Sequence, residues 1–132
     1  MEPVSKLHEA FNAIRAMALA AQSTFDEVSV GSLPAEDSMV MMIAAGGEQT
    51  ATLDHHGDLT VDIVCNVKHK FHMVALDVLA NVHENLTTTK HLPFGNGWQV
   101  LSLSSSSLPT FIEKDGDQFL YGSGFNAKIW IK

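Results

Sequence analysis

Seven histidines are the side chains in this chain best suited to metal or acid–base chemistry. Asp54-His55-His56 forms a local cluster beside a turn. His69 and His72 have HxxH spacing across a strand-to-helix junction, and His72 and His83 lie eleven residues apart, close enough in phase to share a helix face. A helical two-histidine metal site needs i, i+4 spacing, and no pair has it. The histidines therefore read as solvated or hydrogen-bonded groups, with a pH-sensitive or interface role and a metal site as the sharper alternatives. The serines Ser102 and Ser104 to Ser107 lie outside any GxSxG elbow, and nucleophilic catalysis needs a base and an orienting group beside the hydroxyl. Paired carboxylates occur at Glu36-Asp37 and at Asp115 with Asp117, in turns where Asp is expected for backbone hydrogen bonding. Gly46-Gly47 and Gly95-Asn96-Gly97 lack the lysine and spacing of a phosphate loop. The expectation is no catalytic, cofactor-binding or metal site and no cofactor.

The elements around these residues must come from one domain. A chain of 132 residues with 45% hydrophobic content can bury a core, roughly two-thirds of its unfolded surface, without disulfides or metal. Fifteen acidic and eight basic side chains give a formal net charge of −7. That balance argues against a dedicated nucleic-acid binder and against adhesion to an anionic membrane. The single cysteine, Cys65, sits in an apolar run and reads as a small buried side chain, in keeping with a reducing compartment. The N-terminus has no basic segment followed by an apolar core, and no apolar run approaches the roughly 20 residues that span a bilayer. A soluble chain that starts in a cytoplasm is expected.

Periodicity places the elements. Leu7, Ala10, Phe11, Ile14, Met17, Ala18 and Ala21 form a helical stripe over Val4 to Gln22. Phe25 to Val30 reads as a short strand ended by Gly31-Ser32-Leu33-Pro34. Met39 to Ala45 is a strand-length apolar run, covered on both faces or buried at an oligomer edge. Gly46 to Asp58 reads as a polar loop with room for a short strand, Gln49 to Leu53. Leu59 to Lys68 alternates: Leu59, Val61, Ile63, Cys65 and Val67 face one way, Thr60, Asp62, Asn66 and Lys68 the solvated way. Phe71, Val74, Ala75, Val78, Leu79, Val82 and Leu86 predict a second helix from Lys70 to Leu86, stopped by Thr87-Thr88-Thr89. Lys90 to Gly97 reads as a loop, Trp98 to Ser104 as a strand, Ser105 to Pro109 as a flexible loop and Thr110 to Glu113 as further pairing. Asp115-Gly116-Asp117 is a hairpin turn. Phe119 to Tyr121 and Phe125 to Lys132 close the sheet, with a bulge or bend at Gly122 and Gly124. The aromatics Phe119, Tyr121, Phe125 and Trp130 mix core positions with exposed anchors. The order is helix, strands, helix, strands: an α+β two-layer domain over 1–132, with two helices on a mostly antiparallel or mixed sheet.

Four segments carry a resemblance. Gly31-Ser32-Leu33-Pro34 ends a strand after the first helix. Trp98-Gln99-Val100-Leu101 follows the second helix and a short loop. Ser104-Ser105-Ser106-Ser107-Leu108-Pro109-Thr110-Phe111-Ile112 runs from a serine-rich stretch through a proline to an aromatic-Ile pair. Asp115-Gly116-Asp117-Gln118-Phe119-Leu120-Tyr121 turns into an aromatic strand. In this order, over nearly the whole chain, they resemble the small tail-completion (tail terminator, or minor capsid) proteins of long-tailed bacteriophages. His55-His56 and the high methionine content are not part of that pattern. The resemblance implies a non-enzymatic structural protein of the virion, made in the host bacterial cytoplasm. It implies a self-assembled ring, typically a hexamer, on the head-proximal end of the tail. Such a ring stops tube polymerisation and docks the head-completion connector protein. Its partners would be further copies, the tail tube protein and the connector, with DNA passing through the lumen without specific binding and no membrane contact. The candidate interface segments are Gly46 to Asp58, Lys90 to Gly97 and Ser104 to Lys114. Two other functions compete: a small metal-dependent hydrolase using His55, His56 or His72, and a monomeric adaptor that binds peptide by strand addition to the sheet edge.

Overall fold

The first helix, α1 (Lys6–Ala20), begins where Ser5 can cap it: the Ser5 Oγ accepts the His8 backbone N–H at 3.1 Å. Its buried face is Ala10, Phe11, Ile14 and Ala18, the centre of the predicted stripe. The computed structural model describes residues 5–31, 34, 36–51 and 57–131, with backbone alone over 45–51 and at 57. Six strands follow in chain order: β1 (Ser29–Val30), β2 (Ser38–Ala51), β3 (Gly57–His69), β4 (Phe94–Gly95), β5 (Trp98–Asp115) and β6 (Gln118–Ile131), with α2 (His72–Thr88) between β3 and β4. They form one mixed sheet in the order β1-β2-β3-β6-β5-β4, with β1 and β2 parallel and every other pair antiparallel. The architecture is α+β, with both helices packed on one face of the sheet.

Cross-strand register builds the core. Val61, Ile63, Cys65 and Val67 of β3 lie opposite Ala127, Phe125, Ser123 and Tyr121 of β6, all buried on the helix-covered face. Ala75, Val78, Leu79, Val82 and Leu86 of α2 complete this cluster with the buried face of α1. Cys65 is fully buried, as expected, and burial pushes its thiol up to about 12. Among the described residues no helix is long and apolar enough to cross a membrane.

Several elements differ from the sequence reading. Phe25 to Val30 yields only the two-residue β1. The Gln22 side chain bonds both the N–H and the carbonyl of Phe25, and Arg15 bonds the Val28 carbonyl, so ladder groups are already engaged. Ser32 and Leu33 of the Gly31–Pro34 turn lie outside the described residues. The polar stretch after Ala45 is not a loop: β2 runs to Ala51 and β3 begins at Gly57, pairing Glu48 with Thr60 and Ala51 with Gly57 across a register shift. A ladder on an already seated partner satisfies the backbone whatever the side chains are. Residues 52–56, with His55 and His56, lie outside the described set.

The serine-rich stretch is likewise strand. β5 is continuous because β6 templates it, and four register shifts absorb its extra residues, one of them spanning Pro109. The bulges thus sit in β5, whereas Gly122 and Gly124 of β6 hold unbroken register with β3. Within the expected loop Lys90 to Gly97, Phe94–Gly95 pairs with Trp98–Gln99 as β4. The second helix is displaced to His72–Thr88. Phe71 is an exposed N-cap, and the Thr87 and Thr88 hydroxyls donate to the His83 and Glu84 carbonyls at 2.7 Å, so the threonines extend the last turn they were expected to stop. Lys68, expected in solvent, is buried: its Nζ donates to Asp115 Oδ2 at 2.6 Å and to the Pro34 carbonyl at 3.3 Å, where the β5–β6 turn folds over that end of the second face.

Candidate functional site

The histidines are where the sharper chemistry would lie. His69 ends β3. Its Nδ1 accepts the Phe71 N–H at 3.0 Å, and its Nε2 lies 3.5 Å from Asp37 Oδ2. His72 opens α2, hydrogen-bonds the Tyr121 hydroxyl through Nε2 and stacks on Phe119 with ring centroids 4.6 Å apart. Phe111 of β5 approaches the same ring at 5.8 Å. The HxxH pair therefore serves two different neighbourhoods, one on the Asp37 segment and one on the β5–β6 hairpin. His72 and His83 do share the face of α2 that meets the β5–β6 hairpin, but they stand about three turns apart: His83 is buried against Phe125 at 4.9 Å, while His72 is exposed at the helix start, so the two rings do not converge. Among the described residues, no three His, Cys, Asp or Glu side chains converge as a metal site.

One pairing escaped the sequence reading. His83 Nε2 lies 2.9 Å from the Ser105 hydroxyl, joining α2 to β5 across 22 residues. His83 reads as polar and stands one position off the apolar stripe, and no spacing rule joins it to a serine in an expected loop. The His83 Nδ1 is buried with no hydrogen-bond partner among the described residues. No carboxylate therefore orients this ring as the third member of a triad would. The pair works as a stitch between helix and sheet.

Burial lowers the His83 pKa from its ordinary 6.5, because desolvation disfavours the imidazolium. The sign follows directly. At neutral pH both folded and unfolded states hold the ring neutral. As pH falls through 6.5 the unfolded chain takes up the proton first, so stability is lost on acidification. His83→Phe should flatten that loss. Urea unfolding of both proteins at pH 7 and pH 5 measures it, and an equal loss in the two would refute the burial argument.

Of the carboxylates singled out by sequence, Asp37 and Asp115 are used structurally. Asp37 accepts the Lys70 N–H at 3.1 Å and the Gln118 amide at 2.6 Å, and Asp115 holds Lys68; Glu36 and Asp117 are exposed. Of the expected aromatic mix, Phe125 and Tyr121 are buried, while Phe119 and Trp130 are partly exposed.

The remaining feature is the sheet's margin. On the outer side of β5, β4 covers Trp98 and Gln99, and the Pro93 carbonyl takes the Val100 N–H at 3.0 Å. From Leu101 onward no described strand pairs with that side. Leu101 to Leu108 carries no charge, and proline and charge, at Pro109, Glu113 and Lys114, come only after it. Leu101, Leu108, Phe111 and Ile112 expose 40%, 69%, 46% and 52% of their surface. Of the three expected interface segments, Ser104 to Lys114 is therefore an open strand edge rather than a loop. At the other margin β1 covers only Val40 and Met41 of β2. Beside it lies a groove of about 390 Å³ lined by Leu7, Phe11, Val30, Met42 and Ile43, with Ser5, His8 and Asn12 at its polar positions. Comparison with protein-family models and with curated proteins finds no match.

Proposed function

We propose that this chain is a structural assembly subunit, a tail-completion protein of the long-tailed phage type that its sequence resembles. The observation that carries the reading is the uncharged, unpaired outer edge of β5 with four large apolar side chains exposed along it. Monomeric sheet proteins blunt such edges with charge, proline or short length, because a bare edge templates pairing with another chain. Here proline and charge begin only at Pro109, and before it only the register shifts at Val100/Ser102 and Ser105/Ser107 interrupt the edge. An edge left open for its first eight residues past Val100 suits a chain that is completed by assembly. The resemblance adds the rest: a ring, hexameric in that family, that caps the head-proximal end of the tail tube. That ring ends tube growth, receives the connector protein and lets DNA pass. The net charge of −7 suits a lumen that does not hold DNA.

The test is size-exclusion chromatography with light scattering over a concentration series, with and without tail tubes purified from the encoding phage, followed by negative-stain microscopy. Closed rings, or a cap on one end of each tube, are expected. A chain that stays monomeric at every concentration and ignores the tubes would overturn the reading, and the same edge would then favour a peptide-binding adaptor.

A further inference from the structure

We propose that the groove between α1 and the free margin of β2 receives the β5 edge of a second copy, with Leu108 as the side chain that enters it. This deepens the self-assembly reading above and rests on it.

Strand direction permits the joint. β2 runs antiparallel to β3, β3 to β6 and β6 to β5, so β2 and β5 point in opposite directions within one copy. A second copy in the same orientation therefore brings its β5 beside β2 as an antiparallel neighbour, and its helices remain on the same side of the sheet. No inversion of the subunit is needed. A sheet whose two margins carried parallel strands would lack this property.

The surfaces match in kind. The groove is apolar and open, with Val30 58% and Ile43 40% exposed on its margin. The opposite margin carries Leu108, exposed at 69% in an uncharged stretch. Among the described residues no carboxylate lines the groove, and none occurs between Leu101 and Leu108. Copies that each carry −7 repel over most of their surface, so an uncharged seam is where two can meet at least electrostatic cost. A protrusion and a groove at opposite margins make a heterologous contact. Its repetition leaves no free edge once it closes on itself. Pairing of β5 with β5 about a two-fold axis would leave the groove empty and stop at a dimer.

The test exploits the burial of the chain's own cysteine. Cys65 is fully buried, so an added surface thiol would be the accessible one among the described residues. Val30→Cys and Leu108→Cys lie at exposed positions, and circular dichroism checks that each protein folds. Each is oxidised with diamide alone, then mixed, in the presence of tail tubes. The expected result is a disulfide-linked dimer in the mixture and none in either protein alone; the double variant should give a ladder of higher species. A Leu108→Cys protein that cross-links to itself as efficiently as to its partner overturns the proposal in favour of the two-fold edge. Wild-type rings with no cross-link in the mixture overturn this joint and leave the assembly reading standing. Wild-type chains that neither associate nor cap tubes overturn both.

Discussion

Phe125→Ala should lower the free energy of unfolding by about 3–5 kcal/mol, a large share of the roughly 5–15 kcal/mol that a domain of this size possesses. Phe125 is fully buried at the centre of the sheet, opposite Ile63 on β3 and Ser105 on β5. The His83 ring packs on it at 4.9 Å, and the α2 residues close over the same layer. Truncation removes the transfer energy of the ring and leaves a void between rigid strands, which cannot collapse without breaking pairing on both sides. Phe125→Leu retains most of the volume and should cost about 1–1.5 kcal/mol. Urea midpoints of the three proteins at constant m-value are the measurement. A loss below about 1 kcal/mol for the alanine variant would mean that this layer is not the core.

Gly122→Ala should cost about 1 kcal/mol, the low end for overpacking, because both atoms in the way are the ends of side chains and Ile112 is half exposed. A Cβ built at Gly122 would stand 2.6 Å from both Asn66 Oδ1 and Ile112 Cδ1, closer than packed atoms allow. Ile112 reaches Gly122 from β5, two residues beyond Thr110, the cross-strand partner of that glycine. The new methyl must displace Ile112, Asn66 or both. Ile112→Ala should therefore recover much of the loss, and a double-mutant cycle on unfolding free energies should show coupling above about 0.5 kcal/mol. Additive effects would refute the close approach. Gly116 is the contrasting case: its φ is 63° and nothing lies within 4 Å of where an alanine methyl would stand, so substitution there costs only backbone conformation, roughly 1 kcal/mol.

The elements that proved legible share one property: their signal is local. In α1, Ala10, Phe11, Ile14 and Ala18 report a period that any single turn reveals, and Ser5 supplies the cap. In β3 the alternation of Val61, Ile63, Cys65 and Val67 reports a face. Asp115-Gly116-Asp117 encodes its own two-residue turn, with Gly116 in the left-handed region. The α+β order, the two helices and the burial of Cys65 all followed from such signals. Other features depended on partners far along the chain. β2 and β5 outran their apolar runs because a neighbouring strand, not side-chain pattern, satisfies an extended backbone. Phe71 fits the helical stripe yet is 61% exposed, since the turn before α2 carries it off that face. Lys68 fits the solvent face yet is buried, since Asp115, 47 residues away, arrives to pair with it.

The same division holds for the candidate surface. Composition and periodicity alone determined an acidic α+β domain with a self-sufficient core, and they set out the residues of Leu101 to Leu108 without a charge among them. Only the tertiary structure decided that these residues form an outermost edge, that a groove lies at the opposite margin and that the two margins run antiparallel. Strand order is set by pairing across dozens of residues, and a strand's own sequence carries its faces but not its neighbours.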